Sequence, residues 1–322
     1  MTTDSRTESR TESRTDLALV LEAAPWALAA MIGTMRDAAS APLTRVLADH
    51  PRRTAVLEAA GLVRRDGDSV VVDPVLDVAD SATAHSAVAA RLSALRQAAS
   101  AASADQSTSG APAWARHDDD VLLNQGRASA ATGRGLATRI VPALSGLAER
   151  LAAPGSRVLD VGTGVAALAL AVAEAFPATE VVGIDVLQRV LDLARTELAG
   201  ADPATAARIT LRLQDVGALA EQDAYDLIWL PVPFLSDAAL KSAIPRILTA
   251  LRPGGWLVAG TNPASDHPLR RAVDAWTADL NGGNGSDTDA VGHALKAAGF
   301  GDERGFPTVP GGPVLIAARR GY

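Results

Sequence analysis

Three acidic side chains accompany a glycine turn at positions that suit a bound nucleoside. The turn is Gly162-Thr163-Gly164, and Asp160 precedes its first glycine by two residues. Asp185 lies one strand–helix–strand unit further on, and Asp215 follows the next predicted strand. An acid that ends the second strand of such a unit can accept hydrogen bonds from ribose hydroxyls. Because the turn contains no basic residue, these charges suit a cationic nucleoside better than a pyrophosphate.

A buried strand and a helix must hold this turn in place. The strand is expected at Arg157–Val161 and the helix at about Val165–Phe176, since Pro177 cannot continue it. The helix then directs free N–H groups and its positive dipole end at a ligand above the turn. The pattern Gly162-x-Gly164-x-x-Ala167 also fits the loose dinucleotide fingerprint. A nicotinamide-dependent dehydrogenase therefore stays open at this point.

The chain after the turn alternates strands with helices. Further strands are expected at Glu180–Asp185, Ile209–Gln214, Tyr225–Leu230, Trp256–Gly260, Phe306–Val309 and Val314–Ala318. The sequence Pro310-Gly311-Gly312-Pro313 predicts a hairpin between the last two, so the last strand should run antiparallel. We therefore predict an α/β fold with a Rossmann-like, doubly wound, mostly parallel seven-stranded sheet and an antiparallel last strand.

Residues before this sheet predict a separate, mainly helical domain. Residues 1–16 repeat Ser-Arg-Thr-Glu units without an apolar face, so we predict a disordered tail. Leu17–Met35 is expected to form a buried amphipathic helical region with a break at Ala24-Pro25, rather than a membrane span. Helical patterns followed by a hairpin signal at Asp66-Gly67 predict a winged-helix-like domain over residues 17–100. Residues 101–113 are predicted to be a linker.

Composition narrows the possible functions. The chain has 322 residues, no cysteine and a formal net charge of −7. The lack of cysteine excludes disulfides and cysteine-bound zinc. The negative net charge disfavours nucleic-acid binding, and the arginines around the predicted wing are offset by nearby acids. We expect a cytoplasmic protein with no nucleic-acid partner, no membrane partner and no metal.

A helical lid is predicted over residues 114–152, within a sheet domain that spans 114–322. Helices that directly precede a nucleotide-binding strand can fold over the ligand. Polar and aromatic residues without an obvious surface pattern concentrate here, namely Trp114, His117, Asn124, Gln125, Arg127 and Ser129.

These features together resemble the class I S-adenosylmethionine-dependent methyltransferases. The resemblance rests on Asp160-Val161-Gly162-Thr163-Gly164, on Asp185 and Asp215, and on the L-R-P-G-G-W-L-V run that begins at Leu251. It covers roughly residues 124–322 and implies S-adenosylmethionine as cofactor. Ala166 replaces a glycine that this family often has. The residues expected to bind the cofactor are Gln125, Arg127, Asp160, Gly162, Thr163, Gly164, Asp185, Val186, Asp215, Val216 and Leu230.

The order of the two domains is similar to that of the dimeric small-molecule O-methyltransferases. The resemblance implies a small-molecule acceptor and a homodimer in which the N-terminal domain helps to wall the substrate pocket. It also implies a histidine base shortly after the fourth strand, but the stretch Trp229–Leu235 contains none and Pro233 occupies that place. The remaining candidates are His117, His267, Asn124 and Trp229 for catalysis, and Trp114 and Phe234 for substrate contact.

The missing base keeps two other functions open. One is a non-methylating enzyme that uses the same cofactor for an intramolecular displacement, such as cyclisation to azetidine-2-carboxylate with release of methylthioadenosine. The other is a winged-helix regulator or binding protein that senses the cofactor. The first expectation remains in-line methyl transfer to a small molecule by proximity, without the usual histidine base.

Overall fold

The computed structural model of the protein describes residues 5–67, 69–76, 81–103, 113–263, 266–308 and 313–322. The chain divides into two compact units, Met1–Ser103 and Ala104–Tyr322. The predicted linker over residues 101–113 falls mostly on residues 104–112, which lie outside the described residues.

In its described residues, the N-terminal unit contains four α-helices and a two-stranded hairpin. Its elements are α1 (Ser5–Ala38), α2 (Leu43–Asp49), α3 (Pro51–Ala59), β1 (Val63–Asp66), β2 (Ser69–Val72) and α4 (Ser81–Ser103). The hairpin is antiparallel, with Val63 opposite Val72 and Asp66 opposite Ser69. Helices followed by a hairpin are the order of elements that the sequence predicts, and the winged-helix assignment itself stays a prediction.

Helix α1 corrects two expectations about the first residues. It begins at Ser5, where the sequence predicts disorder, and it continues through Pro25, where the sequence predicts a break. Helix nucleation is costly and elongation is not, so an apolar helix can extend backward through a polar repeat. The tail prediction also includes residues 1–4, which lie outside the described residues.

The apolar stretch of α1 is only partly buried. Ala30, Met31, Ile32 and Met35 lie in the core of this unit, whereas the side chain of Trp26 is 75% exposed. Similar exposure is found nearer the start of the stretch, at Leu17, Leu19, Val20 and Leu21. The expectation of a buried amphipathic region was therefore wrong for its first half. By length and composition Leu17–Ala38 could also cross a membrane, with a mean hydropathy of 1.6.

The C-terminal unit contains the seven-stranded sheet that the sequence predicts. Its strands are β3 (Ser156–Val161), β4 (Thr179–Asp185), β5 (Ile209–Leu213), β6 (Tyr225–Pro231), β7 (Leu251–Pro263), β8 (Phe300–Pro307) and β9 (Pro313–Arg320). Their order is β5-β4-β3-β6-β7-β9-β8. Strands β3 to β7 are parallel, and β9 runs antiparallel to both β7 and β8. The predicted α/β fold is confirmed.

Strands β7 and β8 differ from their predicted bounds by more than about two residues, which is the usual uncertainty of an element end. Strand β7 runs through Arg252-Pro253-Gly254-Gly255, which the sequence predicts as a turn, and its register with β6 shifts in that region. Strand β8 begins six residues earlier than expected, in a charged segment without clean alternation. Such charges are typical of an edge strand, where they discourage pairing with another chain. The turn predicted at residues 310–313 lies mainly outside the described residues.

Helices cover both faces of this sheet. The α-helices described in this unit are α5 (Asp119–Gly135), α6 (Leu147–Ala152), α7 (Ala167–Ala175), α8 (Gln188–Ala199), α9 (Pro203–Ala206), α10 (Asp237–Ala250), α11 (Pro268–Leu280) and α12 (Thr288–Ala297). One core cluster packs α10 and α12 on the sheet, and a second packs α6 and α7 on the other face. Burial on both faces is why central strands such as β6 are continuous apolar runs.

The lid segment is less regular than predicted. The expected second helix, 136–152, is instead a π-helical turn at Leu136–Ile140, a short turn at Val141–Ala143 and then α6. Pro142 lacks a backbone donor, and Gly146 has a φ of 74°, which interrupts an α-helix.

Candidate functional site

A cavity of about 860 Å³ lies at the carboxyl ends of the parallel strands. This is the edge at which open α/β sheets bind their ligands. Twelve of the predicted site residues line it: Trp114, Gln125, Asp160, Gly162, Thr163, Gly164, Asp185, Val186, Asp215, Val216, Trp229 and Phe234.

The glycine turn between β3 and α7 has an unusual backbone. Gly162 and Gly164 have φ values of 62° and 57°, in the left-handed region that favours glycine. Ala166 also has a positive φ, 64°, at the position where the resembling family often has a third glycine. The backbone therefore keeps the conformation of a glycine turn although the residue is alanine.

Thr163 fixes the turn from within. Its N–H donates to the carbonyl of Ile184, and its buried hydroxyl donates to Oδ2 of Asp160 at 2.7 Å. A Cβ on Gly183 would come within 2.7 Å of the Thr163 hydroxyl, so this glycine makes room for the threonine. Strands β3 and β4 thereby hold the turn jointly.

Asp185 bonds both the turn and the loop that follows β4. Its Oδ2 accepts the N–H of Gly164 at 3.1 Å, and its Oδ1 accepts the N–H of Leu187 at 3.0 Å. Burial raises the pKa of this carboxyl, and the backbone N–H groups of Leu187, Gly164 and Val186 oppose that rise. A carboxylate has about four acceptor positions, so Asp185 can still accept from a hydroxyl of a ligand.

Asp160 is the most perturbed acid of the cavity. Its side chain is almost fully buried, and burial raises its pKa from 3.8 to about 7. The hydrogen bond from Thr163 lowers this pKa, whereas the nearby charge of Asp185 raises it. A cationic ligand in the cavity would favour the ionised form of Asp160.

Asp215 lies at the exposed end of the site, after β5. Its Oδ1 accepts the N–H of Gly217 at 2.7 Å and so caps the short turn at Val216–Ala218. The carboxylates of Asp160, Asp185 and Asp215 therefore follow three adjacent strands.

Helix α5 closes the cavity beside the glycine turn. It can pack closely there because two of its residues are glycines. A Cβ on Gly126 would lie 2.5 Å from Cγ2 of Val165, and one on Gly133 would lie 2.9 Å from the carbonyl oxygen of Leu168. The two glycines are seven residues apart, on the same face of α5, and bring it directly onto α7. Gln125 and Ser129 of the same helix line the cavity.

Four predicted site residues do not line the cavity. Arg127 forms a two-pronged ion pair with Glu197, both contacts being 2.8 Å. Leu230 is fully buried among core residues of the sheet. Asn124 and His117 are only partly buried, and Nε2 of His117 lies 2.9 Å from Oδ1 of Asn281. Residue types alone do not reveal which face of a helix a side chain occupies.

An aromatic cluster covers the segment after β6. The ring of Trp114 lies 5.0 Å from that of His117 and 5.4 Å from that of Phe234. Among the described residues that line the cavity there is no histidine, and Pro233 does line it. His267 likewise lies outside the cavity wall.

A buried asparagine that the sequence analysis missed shapes this segment. Asn284 donates from Nδ2 to the carbonyls of Val232 and Leu235, at 2.8 and 2.7 Å, and accepts the N–H of Ser286. A Cβ on neighbouring Gly283 would lie 2.0 Å from the carbonyl oxygen of Pro233. The residues after β6 are therefore positioned from a loop about fifty residues away.

Asn284→Ala is expected to lower the free energy of unfolding by about 2 kcal/mol, because two carbonyls and an N–H lose their partner in a buried place. Urea unfolding followed by circular dichroism measures this change. Asn124→Ala is the matched control, since the Asn124 side chain forms no hydrogen bond with the described residues. Equal stability of the two variants would contradict the role given to Asn284.

The far end of the cavity was also missed. It is formed by Arg139 and Ile140 from the lid, Gly260 from β7, Phe306 and Pro307 from β8 and Leu315 from β9. Only the register of the last two strands brings them there, since Gly260 pairs with Leu315 and Leu315 pairs with Phe306.

Comparisons with known proteins agree with this geometry. A family model described as a methyltransferase domain matches residues 158–255. The ribosomal protein L11 methyltransferase of Symbiobacterium thermophilum is 39% identical over 130 residues, which are 40% of each chain. The chain thus spans less than half of that curated relative's length.

Solved structures resemble the chain over almost its full length. Human N-acetylserotonin methyltransferase, solved with S-adenosylmethionine, has a TM-score of 0.61 at 16% identity and covers 100% of this chain and 99% of its own. The mitomycin 7-O-methyltransferase has a TM-score of 0.62 at 18% identity and covers 98% and 99%. At such identities the likeness shows the fold.

The cavity fits the cofactor of this family. Its volume is in the usual range for ligand sites. Its glycine turn leaves room for a ligand to approach the backbone, and three carboxylates without a basic partner in the turn suit a cationic nucleoside. Residues 158–255 thus match the methyltransferase-domain family, and the fold and the residues of the cavity agree with that match.

Proposed function

We propose that the protein transfers a methyl group from S-adenosylmethionine to a small-molecule acceptor. We expect the acceptor atom to be an oxygen. The observation that carries the proposal is one continuous cavity whose acids lie at β3, β4 and β5 and whose apolar wall lies at β6 to β9. The structural neighbours named above support this reading, because their names describe methyltransferases of small molecules.

S-adenosylmethionine, when bound, supplies a methyl group attached to a positively charged sulfur. In the proposal Asp185 holds the ribose hydroxyls, Asp215 the adenine end, and the turn Gly162–Gly164 the amino-acid portion. Trp229, 8% exposed, and Phe234 lie where β6 ends and keep water from the apolar wall. The ring face of either residue also attracts a cation.

The chain's own contribution is positioning rather than proton transfer. An in-line displacement needs alignment of the acceptor atom with the methyl carbon and sulfur. The acceptor forms a bond to carbon, the carbon–sulfur bond breaks, and a proton of the acceptor leaves to solvent. Because His117 is engaged with Asn281 and lies off the cavity wall, we assign no histidine base to this reaction.

Incubation of the purified protein with S-adenosylmethionine, with and without a panel of phenols and amines, tests this function. Formation of S-adenosylhomocysteine only when an acceptor is present supports the proposal. Methylthioadenosine formed without acceptor would overturn it in favour of intramolecular displacement, and binding without turnover would favour a sensor. The relatives reported above are methyltransferases and give neither alternative support.

We also propose a cytoplasmic homodimer assembled through the exposed apolar part of α1. Light scattering after gel filtration should give about twice the chain mass of 33.0 kDa. Leu19→Ser with Val20→Ser should shift the mass toward one chain, because exposed apolar area drives such association. Leu92→Ser, which changes an exposed leucine on α4, is the control.

A single-chain mass for the unmodified protein would contradict the dimer. Recovery of the protein in the membrane fraction, released only by detergent, would instead show that the Leu17–Ala38 stretch inserts into lipid.

A further inference from the structure

Arg139 carries a positive charge at the end of the cavity that faces away from the acids. Its Nη2 donates to the carbonyl oxygen of Pro307 at 3.3 Å, and Pro307 ends the edge strand β8. Asp160 belongs to β3, four strands away in the sheet. At the usual spacing between strands, β3 and β8 are about 19 Å apart.

The guanidinium of Arg139 has spare donors. Within the described part of the chain it forms no ion pair, and its hydrogen bond to Pro307 is long. Arg127 on the preceding helix differs from Arg139, because its guanidinium donates two hydrogen bonds to the carboxylate of Glu197. An unpaired arginine at a cavity in a chain of net charge −7 is a candidate anion site.

The surroundings of Arg139 suit a flat apolar group. Ile140, Phe306 and Leu315 line this end with the indole of Trp229. A Cβ on Gly260 would lie 2.8 Å from Cη2 of Trp229, so the missing side chain lets the indole lie across β7. Aromatic walls favour aromatic ligands through stacking and edge contacts.

A second unsatisfied donor lines the same cavity. Nε1 of Trp114 is buried and has no hydrogen-bond partner among the described residues. A buried donor without a partner is costly, and a ligand oxygen would satisfy it.

The backbone that carries Arg139 is also irregular. Leu136 and Ile140 are buried while Arg139 is exposed at the cavity, and all three lie in a π-helical turn. Such turns are rare and are concentrated at functional sites.

We infer that Arg139 binds a carboxylate of the acceptor and that the acceptor is an aromatic acid whose ring lies against Trp229. This inference rests on the proposed methyltransferase function and names the chemical class of its substrate. The acceptor is held at its anionic end by Arg139, while the methyl donor is held at the opposite end by the acids. The cofactor's own amino-acid portion also carries a carboxylate, which is the other group of this kind that Arg139 would bind.

Calorimetry with the full chain saturated with S-adenosylhomocysteine tests the inference. The probes are benzoate and naphthalene carboxylate, each compared with its neutral carboxamide. We expect each carboxylate to bind about tenfold more tightly than its amide. Because Arg139 is exposed, the preference should shrink at high salt. Arg139→Gln should abolish it and Arg139→Lys should retain part of it, whereas Arg134→Gln, a control five residues earlier and off the cavity wall, should leave it unchanged.

Equal binding of acid and amide to the unmodified protein, or no binding of either, overturns the inference. So does a preference that survives Arg139→Gln. If Arg139→Gln weakens S-adenosylhomocysteine binding instead, the arginine holds the cofactor's carboxylate and the acceptor assignment fails. If the unmodified protein does not bind S-adenosylhomocysteine, the proposed function fails. The titrations are then repeated without S-adenosylhomocysteine, so that they measure only the preference for carboxylate over carboxamide.

Discussion

Asp185→Ala is expected to weaken the binding of S-adenosylmethionine and S-adenosylhomocysteine by roughly 100-fold, or about 3 kcal/mol. The substitution removes the proposed acceptor of two ribose hydroxyls. It also frees the N–H groups of Gly164 and Leu187, which the carboxylate now holds at 3.1 and 3.0 Å. The glycine turn therefore loses a constraint at the same time as the ligand loses a partner. Isothermal titration calorimetry of the purified variant measures the change.

Glu180→Ala provides the matched control for this experiment. Glu180 lies on the same strand at its opposite end, with a side chain 66% exposed and a contact of 3.7 Å to Arg157. Its removal should change cofactor affinity by less than about twofold, because exposed ion pairs contribute little. Thermal unfolding of both variants separates lost binding from lost folding. Unchanged affinity in a folded Asp185→Ala protein would remove Asp185 from the site.

The affinity for S-adenosylmethionine is expected to rise with pH and to level off above about pH 7. Burial raises the pKa of Asp160 to about 7, so the carboxyl of the free protein holds a proton in weakly acidic solution. A cationic ligand favours the ionised form, and binding must then release that proton. The affinity should therefore change by up to roughly tenfold per pH unit below pH 7. S-adenosylhomocysteine, which lacks the sulfonium charge, should show a shallower slope.

Asp160→Asn should remove most of this pH dependence. The asparagine can still accept from the hydroxyl of Thr163, so the turn keeps its bond while the charge is lost. Calorimetry in buffers with different ionisation enthalpies counts the protons released. Identical pH profiles for the unmodified protein and the variant would contradict the assignment to Asp160.

The carboxyl of Asp160 makes the free energy of unfolding of the ligand-free protein fall as the pH rises, whereas it makes the affinity for S-adenosylmethionine rise. Its pKa is higher in the folded state than the ordinary 3.8, so the folded protein holds a proton that the unfolded chain releases. The stabilisation is fully present below about pH 4 and is lost as the pH rises through about 7. It amounts to at most about 4 kcal/mol. Asp160→Asn should flatten the fall in stability between about pH 4 and about pH 7 in urea unfolding, with a smaller slope left from Asp185.

Local sequence signals located the end of the cavity that the acids line. Asp160, the glycine turn and Asp185 are predictable because each lies at a strand end within one strand–helix–strand unit, and the parallel topology brings those ends to one edge. Ser236 likewise caps the start of α10 by accepting the N–H of Ala239, three residues along the chain. These features depend on residues close together along the chain.

Helix faces and strand bounds escaped the same reasoning. Arg127 has the residue type of a ligand contact, yet its position on α5 turns it toward Glu197. The break expected at Pro25 did not occur, because a helix can absorb a proline that lies after its first turn at the cost of one hydrogen bond. Strand β8 was misjudged because its charged residues lie on an exposed edge.

The sequence by itself determined the α/β fold, the glycine turn and the acids that follow β3, β4 and β5. Short-range periodicity and turn chemistry encode those features, and burial of the sheet on both faces enforces them. Only the tertiary structure decided the other half of the cavity. Arg139, Phe306 and Leu315 come from segments far apart in the chain, and the pairing of β8 with antiparallel β9 brings Phe306 beside Leu315 at one end of the cavity. Such contacts depend on strand order and register, which are decided by packing of the whole sheet.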